Sequence, residues 1–207
     1  MIQLPRFTLR LRLLISIASI VALFSITNIT YQVSSQNRTE RLDNLQQAVQ
    51  GQLASVNIRQ MLENQQKEIL VLDALTESGD SLLQRDEIRG GVENISAIDK
   101  EINKLQLYAY TDAIDAYNDL LESHRELNEL WRRFYAEDKS TRPGVADIQT
   151  NYLKTLTLLR VFESLETQAA EQQAEELQKS SRMTERITLA IYLFTIALTV
   201  GLLSLIH

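Results

Sequence analysis

Few side chains in this chain can do chemistry, and the ones that can are best suited to holding an anion. Arg59 lies about 28 residues beyond the first apolar run and Arg160 about 27 residues before the last one, so helical rise puts both at one height. The same arithmetic brings Glu101 and Tyr117 to that layer. Two guanidinium forks, a phenol and a carboxylate form a pocket for a small anion, such as an amino-acid or organic-acid carboxylate, because the planar fork pairs with a carboxylate through two parallel hydrogen bonds. The plainer reading of the same four residues is solvated faces making ordinary salt bridges.

No catalytic constellation accompanies them. The 207 residues contain two histidines and no cysteine, which removes thiolate chemistry, disulfides and Cys-type metal sites. His207 is terminal. His124 sits at helical spacing between Leu121 and Leu127, and its acidic neighbours Glu122 and Glu126 are not at the three- or four-residue spacing that shares a helix face. A buried or interface histidine is therefore expected. There is no phosphate-binding glycine loop, dinucleotide fingerprint or zinc-protease helix motif. No cofactor or metal is implied, and this segment is not expected to be an enzyme. The net charge of −6 argues against nucleic acid as a partner.

The elements that must position these residues are helices. Two prolines and six glycines in the whole chain leave little punctuation for sheets. Two apolar runs bracket a polar middle. Residues 1–12 form a basic tail with Arg6, Arg10 and Arg12. Residues 13–30 and 187–206 are free of charge and long enough to span a bilayer. The basic tail places the N-terminus in the cytoplasm, so residues 31–186 are extracytoplasmic and the second run returns the chain. A cleaved signal peptide competes for the first run, although no A-x-A-like site follows it.

Within the middle, steps of three and four mark helical faces. Leu42, Leu45, Val49, Leu53, Val56, Ile69, Leu72 and Leu75 define the first face. Val92, Ile95, Ile98, Ile102 and Leu105 define the second, with Gly90-Gly91 expected to kink or interrupt that helix. The third runs through Ile114, Tyr117, Leu121, His124, Leu127, Trp131 and Phe134. The last carries Ile148, Tyr152, Leu156, Leu159, Phe162 and Leu165. Loops are expected at Ser78-Gly79-Asp80 and over residues 137–144. The outer helices match in length, at about 47 and 42 residues or about 70 and 63 Å. Both loops then lie at the far tip, and the chain between them must descend and return, turning near residues 108–111. The fold class is all-α, an antiparallel four-helix bundle whose two long outer helices continue into two transmembrane helices.

Trp131, Phe134 and Tyr135 fall near the tip. Exposed, they suit a docking protein such as a periplasmic binding protein; buried, they close the core. Residues 168–178 are polar on nearly every face and read as a solvated stalk or a mobile transmission segment.

This layout of membrane helix, helical bundle and membrane helix resembles the N-terminal four-helix-bundle sensory module of bacterial transmembrane receptors, of the methyl-accepting chemotaxis and sensor histidine kinase type. The resemblance is one of architecture and carries no residue across. It implies a homodimer packed along the first long helix, residence in the inner membrane, and a ligand-driven shift of the last helix toward a cytoplasmic output domain, a kinase or cyclase among others. The chain then reads as the input region of a longer protein. The alternative is a membrane-anchored helical scaffold or tether with no ligand.

Overall fold

The computed structural model describes residues 9–77, 85–109, 113–136 and 142–206. They form an all-α four-helix bundle: α1 (Leu9–Glu77), α2 (Arg85–Lys104), α3 (Ile114–Phe134) and α4 (Val145–Ile206), with a 3-10 turn at Leu105–Leu107. The chain divides into two compact units, one of Asn44–Gln172 and one of Met1–Asp43 with Gln173–His207. The long helices α1 and α4 pack together within each.

In the first unit the helices run alternately up and down, because paired residues fall in number on one helix as they rise on its neighbour. Gln66 meets Gln149 and Arg59 meets Glu163 across α1 and α4, while Glu126 meets Lys154 and Ser123 meets Thr155 across α3 and α4. The helix ends follow local chemistry. Asp86 and Glu87 occupy the first turn of α2, and Arg132 and Arg133 the last turn of α3, each matching the helix dipole. At the start of α4 the Gly144 carbonyl accepts from the amides of Asp147 and Ile148 at 3.0 and 3.2 Å. Lys104 ends α2 and the amides of Tyr108 and Ala109 both close on the Leu105 carbonyl at 2.9 Å, so the chain leaves helical geometry where the length arithmetic puts the inner turn. Residues 110–112 and the stop at Ser78-Gly79-Asp80 lie outside the described residues.

The core is continuous from Ile58, Leu62 and Ile69 through Ile95, Ile98 and Ile102 to Leu127, Trp131, Phe134, Leu159 and Phe162, all buried. The expected faces of α2 and α4 hold almost residue for residue. On α3 the stripe is shifted slightly, with Leu120 buried and Ile114 exposed.

Two expectations fail. Gly90-Gly91 does not interrupt α2, which runs unbroken across both. Helix backbone tolerates glycine at about 1 kcal/mol, and here Gly91 has a packing role: a Cβ on it would overlap the Tyr135 ring. The inner face of α1 is misplaced in part. Ile69 and Leu72 are buried as expected, but Leu42, Val49, Leu53, Val56 and Leu75 are exposed, while Ala48, Gly51, Ser55, Ile58 and Leu62 face inward. The cause is close approach. A Cβ on Gly51 would stand 3.2 Å from both the Tyr108 Cβ and Glu166 Oε2, so only small residues fit inside at that level and the bulky ones turn out.

In the second unit α1 and α4 are joined by the Ser34 and Thr184 hydroxyls at 2.7 Å and by the Arg41–Glu176 ion pair. Here α1 carries a stretch long and apolar enough to cross a membrane, with none of it buried. Ser25, Thr27 and Thr30 donate to the carbonyls one turn back at 2.8–2.9 Å, which satisfies their hydroxyls inside an apolar surface. On α4, helical to Ile206, Leu189, Tyr192, Leu193, Phe194, Ile196 and Val200 are exposed.

Candidate functional site

The four residues singled out for anion binding lie on four different helices, and no hydrogen bond or ion pair among the described residues joins any two of them. Arg59 on α1 is half-buried and faces Glu163 on α4. Its two terminal nitrogens stand 3.3 Å from the two carboxylate oxygens, the fork-to-fork arrangement that favours arginine over lysine. Arg160, one turn before Glu163, is exposed. It lines an open groove with Glu163, Ser164, Thr167, Gln168 and Glu171. Glu163 thus links the two arginines, touching one and sharing a groove with the other. Tyr117 is buried, and burial raises its phenol pKa against the smaller opposing effect of Arg125. Glu101 is held by Lys104 one turn on, at 2.6 Å.

His124 is buried, as its place in the α3 stripe predicts. The polar residues that sequence reasoning missed lie inside the bundle with it: Gln65, Gln66, Ser123, Asn128 and Thr155 are all buried. Most are paired across helices, as buried polar groups must be. The Ser123 and Thr155 hydroxyls meet at 2.9 Å. Gln66 donates to Gln149 at 2.8 Å and accepts from the Trp131 indole at 3.5 Å. His124 is sealed from solvent, and burial pulls its pKa down from 6.5 to about 4 against the opposing pull of Asp99 on α2. A neutral, enclosed imidazole cannot meet a substrate in this arrangement.

A second polar group spans α1, α2 and the end of α3. Gln65 Nε2 donates to the Tyr135 hydroxyl at 2.9 Å, and that hydroxyl donates to Glu68 Oε1 at 3.1 Å. Asn94 Nδ2 donates to the other oxygen of Glu68 at 3.4 Å. Burial and the Glu68 charge both raise the Tyr135 pKa, which keeps the phenol protonated and donating. Beside this chain lies a cavity of about 150 Å³ lined by Met61, Asn64, Gln65, Asn94 and Ile98. The sequence signal for it was Gln65 itself, a glutamine at a core position of α1.

The three tip aromatics are buried rather than presented for docking. Phe134 and Tyr135 meet edge to face with centroids 5.4 Å apart, and the Arg142 guanidinium lies 5.2 Å from the Phe134 ring centre. They close the end of the core. No group of three or more metal-binding side chains converges among the described residues.

Comparison of the chain with protein-family models, curated proteins and solved structures returns no match.

Proposed function

We propose that this chain is the sensory input region of a bacterial transmembrane signalling receptor, dimeric and anchored in the inner membrane by two crossings. The observation that carries the reading is the continuity of α1 and α4. Each runs as one helix from the bundle, where it supplies core residues, into an exposed apolar stretch. In this reading a small change in how the two helices pack in the bundle is passed on along the same two helices, as in helix-shift transitions of about 1–2 Å. The ligand reading assigns Arg59 and Arg160, flanking Glu163, to a small carboxylate that competes for the arginine forks, and keeps Tyr117 and Glu101 as the further residues expected at that layer. The exposed Val49, Leu53 and Val56 stripe supports self-association along α1.

The test uses the full chain in lipid nanodiscs. A panel of amino-acid and organic-acid carboxylates is screened by thermal shift, and the rate of disulfide closure between Ser34→Cys and Thr184→Cys is followed with and without each compound. The sensory reading expects at least one compound to raise Tm and to change the closure rate. Stabilisation of nothing in the panel, with an invariant closure rate, overturns it and leaves the scaffold.

A further inference from the structure

The unit formed by Met1–Asp43 and Gln173–His207 sorts its charges by height. Ser34 meets Thr184 and Arg41 meets Glu176, so residues rising in number on α1 lie opposite residues falling in number on α4. Farther from the apolar stretches, residues 39–43 and 173–179 carry Glu40, Arg41, Asp43, Glu175, Glu176 and Lys179. Both cations of that layer are already paired, Arg41 with Glu176 and Lys179 with Glu175, and the layer is acidic on balance. Next to the apolar stretches the balance reverses. Residues 31–38 and 180–186 carry Arg38, Arg182 and Arg186 against one carboxylate, Glu185. The three arginines are exposed, and none forms an ion pair or hydrogen bond with another described residue.

Helical rise fixes what these arginines meet. Arg186 immediately precedes the apolar run that begins at Ile187, and Arg182 stands one turn, about 6 Å, farther out. The headgroup layer on each side of the hydrocarbon is about 5–8 Å deep, so both guanidinium groups fall at phosphate depth. Arg38 lies about 12 Å beyond Thr30, close to a Debye length of about 10 Å at 0.1 M salt, and adds field rather than contact. On α4 the order Arg182, Arg186, Leu189, Leu193 advances by alternate steps of four and three, which keeps them on one face, and all four are exposed. Two guanidinium forks stand above two leucines, the order in which a phospholipid presents its phosphate and its acyl chains. A fork binds phosphate through two parallel hydrogen bonds. A zwitterionic headgroup brings a cation of its own, which unpaired arginines repel; a headgroup of net negative charge does not.

We propose that this face of α4 is a binding surface for an anionic phospholipid, its phosphate held by Arg182 and Arg186 and its acyl chains laid along Leu189 and Leu193. The proposal rests on the two-crossing reading above and places the lipid in the outer leaflet.

The test reconstitutes the full chain in phosphatidylcholine bilayers holding a trace of spin-labelled phosphatidylglycerol or spin-labelled phosphatidylcholine. Electron spin resonance then measures how much of each label the protein immobilises. Phosphatidylglycerol should be favoured. The basic N-terminal tail acts on the other leaflet, so the decisive quantity is the change on substitution. One arginine at an anionic surface is worth about fivefold at its own site. Averaged over all lipid contacts, Arg182→Gln combined with Arg186→Gln should cut the preference about twofold or more. Arg182→Lys combined with Arg186→Lys keeps the charge and should retain most of the preference. Lys100→Gln combined with Arg125→Gln, at exposed positions of the other unit, makes the same change in net charge and should leave it unaltered. Helix content and Tm show that each variant folds. An equal preference in the parent and the Arg182/Arg186 glutamine variant, or an equal fall in the Lys100/Arg125 variant, overturns the proposal, while immobilised lipid still shows a chain embedded in the bilayer. Immobilisation of neither label overturns the two-crossing reading and this proposal with it.

Discussion

The imidazole of His124 is fully buried, yet its Nε2 stands 3.4 Å from Oδ1 of Asp99, a carboxylate that is 41% exposed. The distance allows attraction, but the approach is poor enough that neither ring nitrogen forms a hydrogen bond. Burial dominates and lowers the folded pKa to about 4 from 6.5. A base with a depressed folded pKa binds fewer protons folded than unfolded between those two values. Stability linked to His124 is therefore complete above pH 6.5 and is lost as pH falls toward 4. The loss is about 3 kcal/mol at one pKa unit per 1.4 kcal/mol. Thermal melts of the full chain between pH 7 and 4.5 should show a steep decline, and His124→Gln should flatten it relative to the parent. An unchanged slope in the variant would assign the acid lability to the carboxylates.

The paired glycines of α2 should respond oppositely to alanine. A Cβ at Gly91 would overlap the buried Tyr135 ring, whereas nothing lies within 4 Å of one at Gly90. Gly91→Ala must push the ring, and with it the bond to Gln65, at about 1–3 kcal/mol. Gly90→Ala should stabilise by about 0.5–1 kcal/mol through helix propensity and a less flexible unfolded chain. Thermal melts of the two single variants check the pair, and shifts of the same sign would show that α2 is not packed on Tyr135 at Gly91.

Trp131, the one tryptophan in the sequence, reports on the core directly. It is fully buried and its indole donates to Gln66. Its emission should be blue-shifted and nearly insensitive to iodide in the folded chain, moving to the red on unfolding. Trp131→Ala should cost about 3–5 kcal/mol and lower Tm sharply. Iodide quenching at the level of free indole would place the ring at the surface.

The faces of α2, α3 and α4 were legible because each helix carries one apolar stripe. Ile95, Ile98, Ile102 and Leu105 admit no second inward face. On α1 two stripes compete, and volume favours the wrong one at the level of Gly51. The correct signal was present as Ala48, Gly51, Ser55, Ile58, Leu62, Gln65, Ile69 and Leu72, an unbroken alternation of three- and four-residue steps. It is hidden because small and polar residues weigh little in a hydropathy pattern. The inner turn was legible from length alone. The partners of the buried polar groups were not. Asp99 meets His124 and Tyr135 meets Gln65 across helices, and the rotation of each helix, which one sequence leaves free, decides such pairs.

The displaced stripe on α1 carries the last prediction. Leu53 is 65% exposed and Val49 and Val56 about 40%, an apolar strip on a helix whose inner face is already satisfied. In the proposed dimer packed along α1, this strip is the surface that the second copy covers. The chain lacks cysteine, so single substitutions report proximity cleanly. Leu53→Cys should cross-link between copies in membranes, whereas Ser96→Cys, exposed on α2, should not. Adding Val49→Glu to Leu53→Cys should cut cross-linking severalfold and leave the bundle's monomer stability within about 0.5 kcal/mol, as for an exposed site away from the core. Equal cross-linking at Leu53 and Ser96 would reflect collision rather than an interface and remove α1 as the dimer seam.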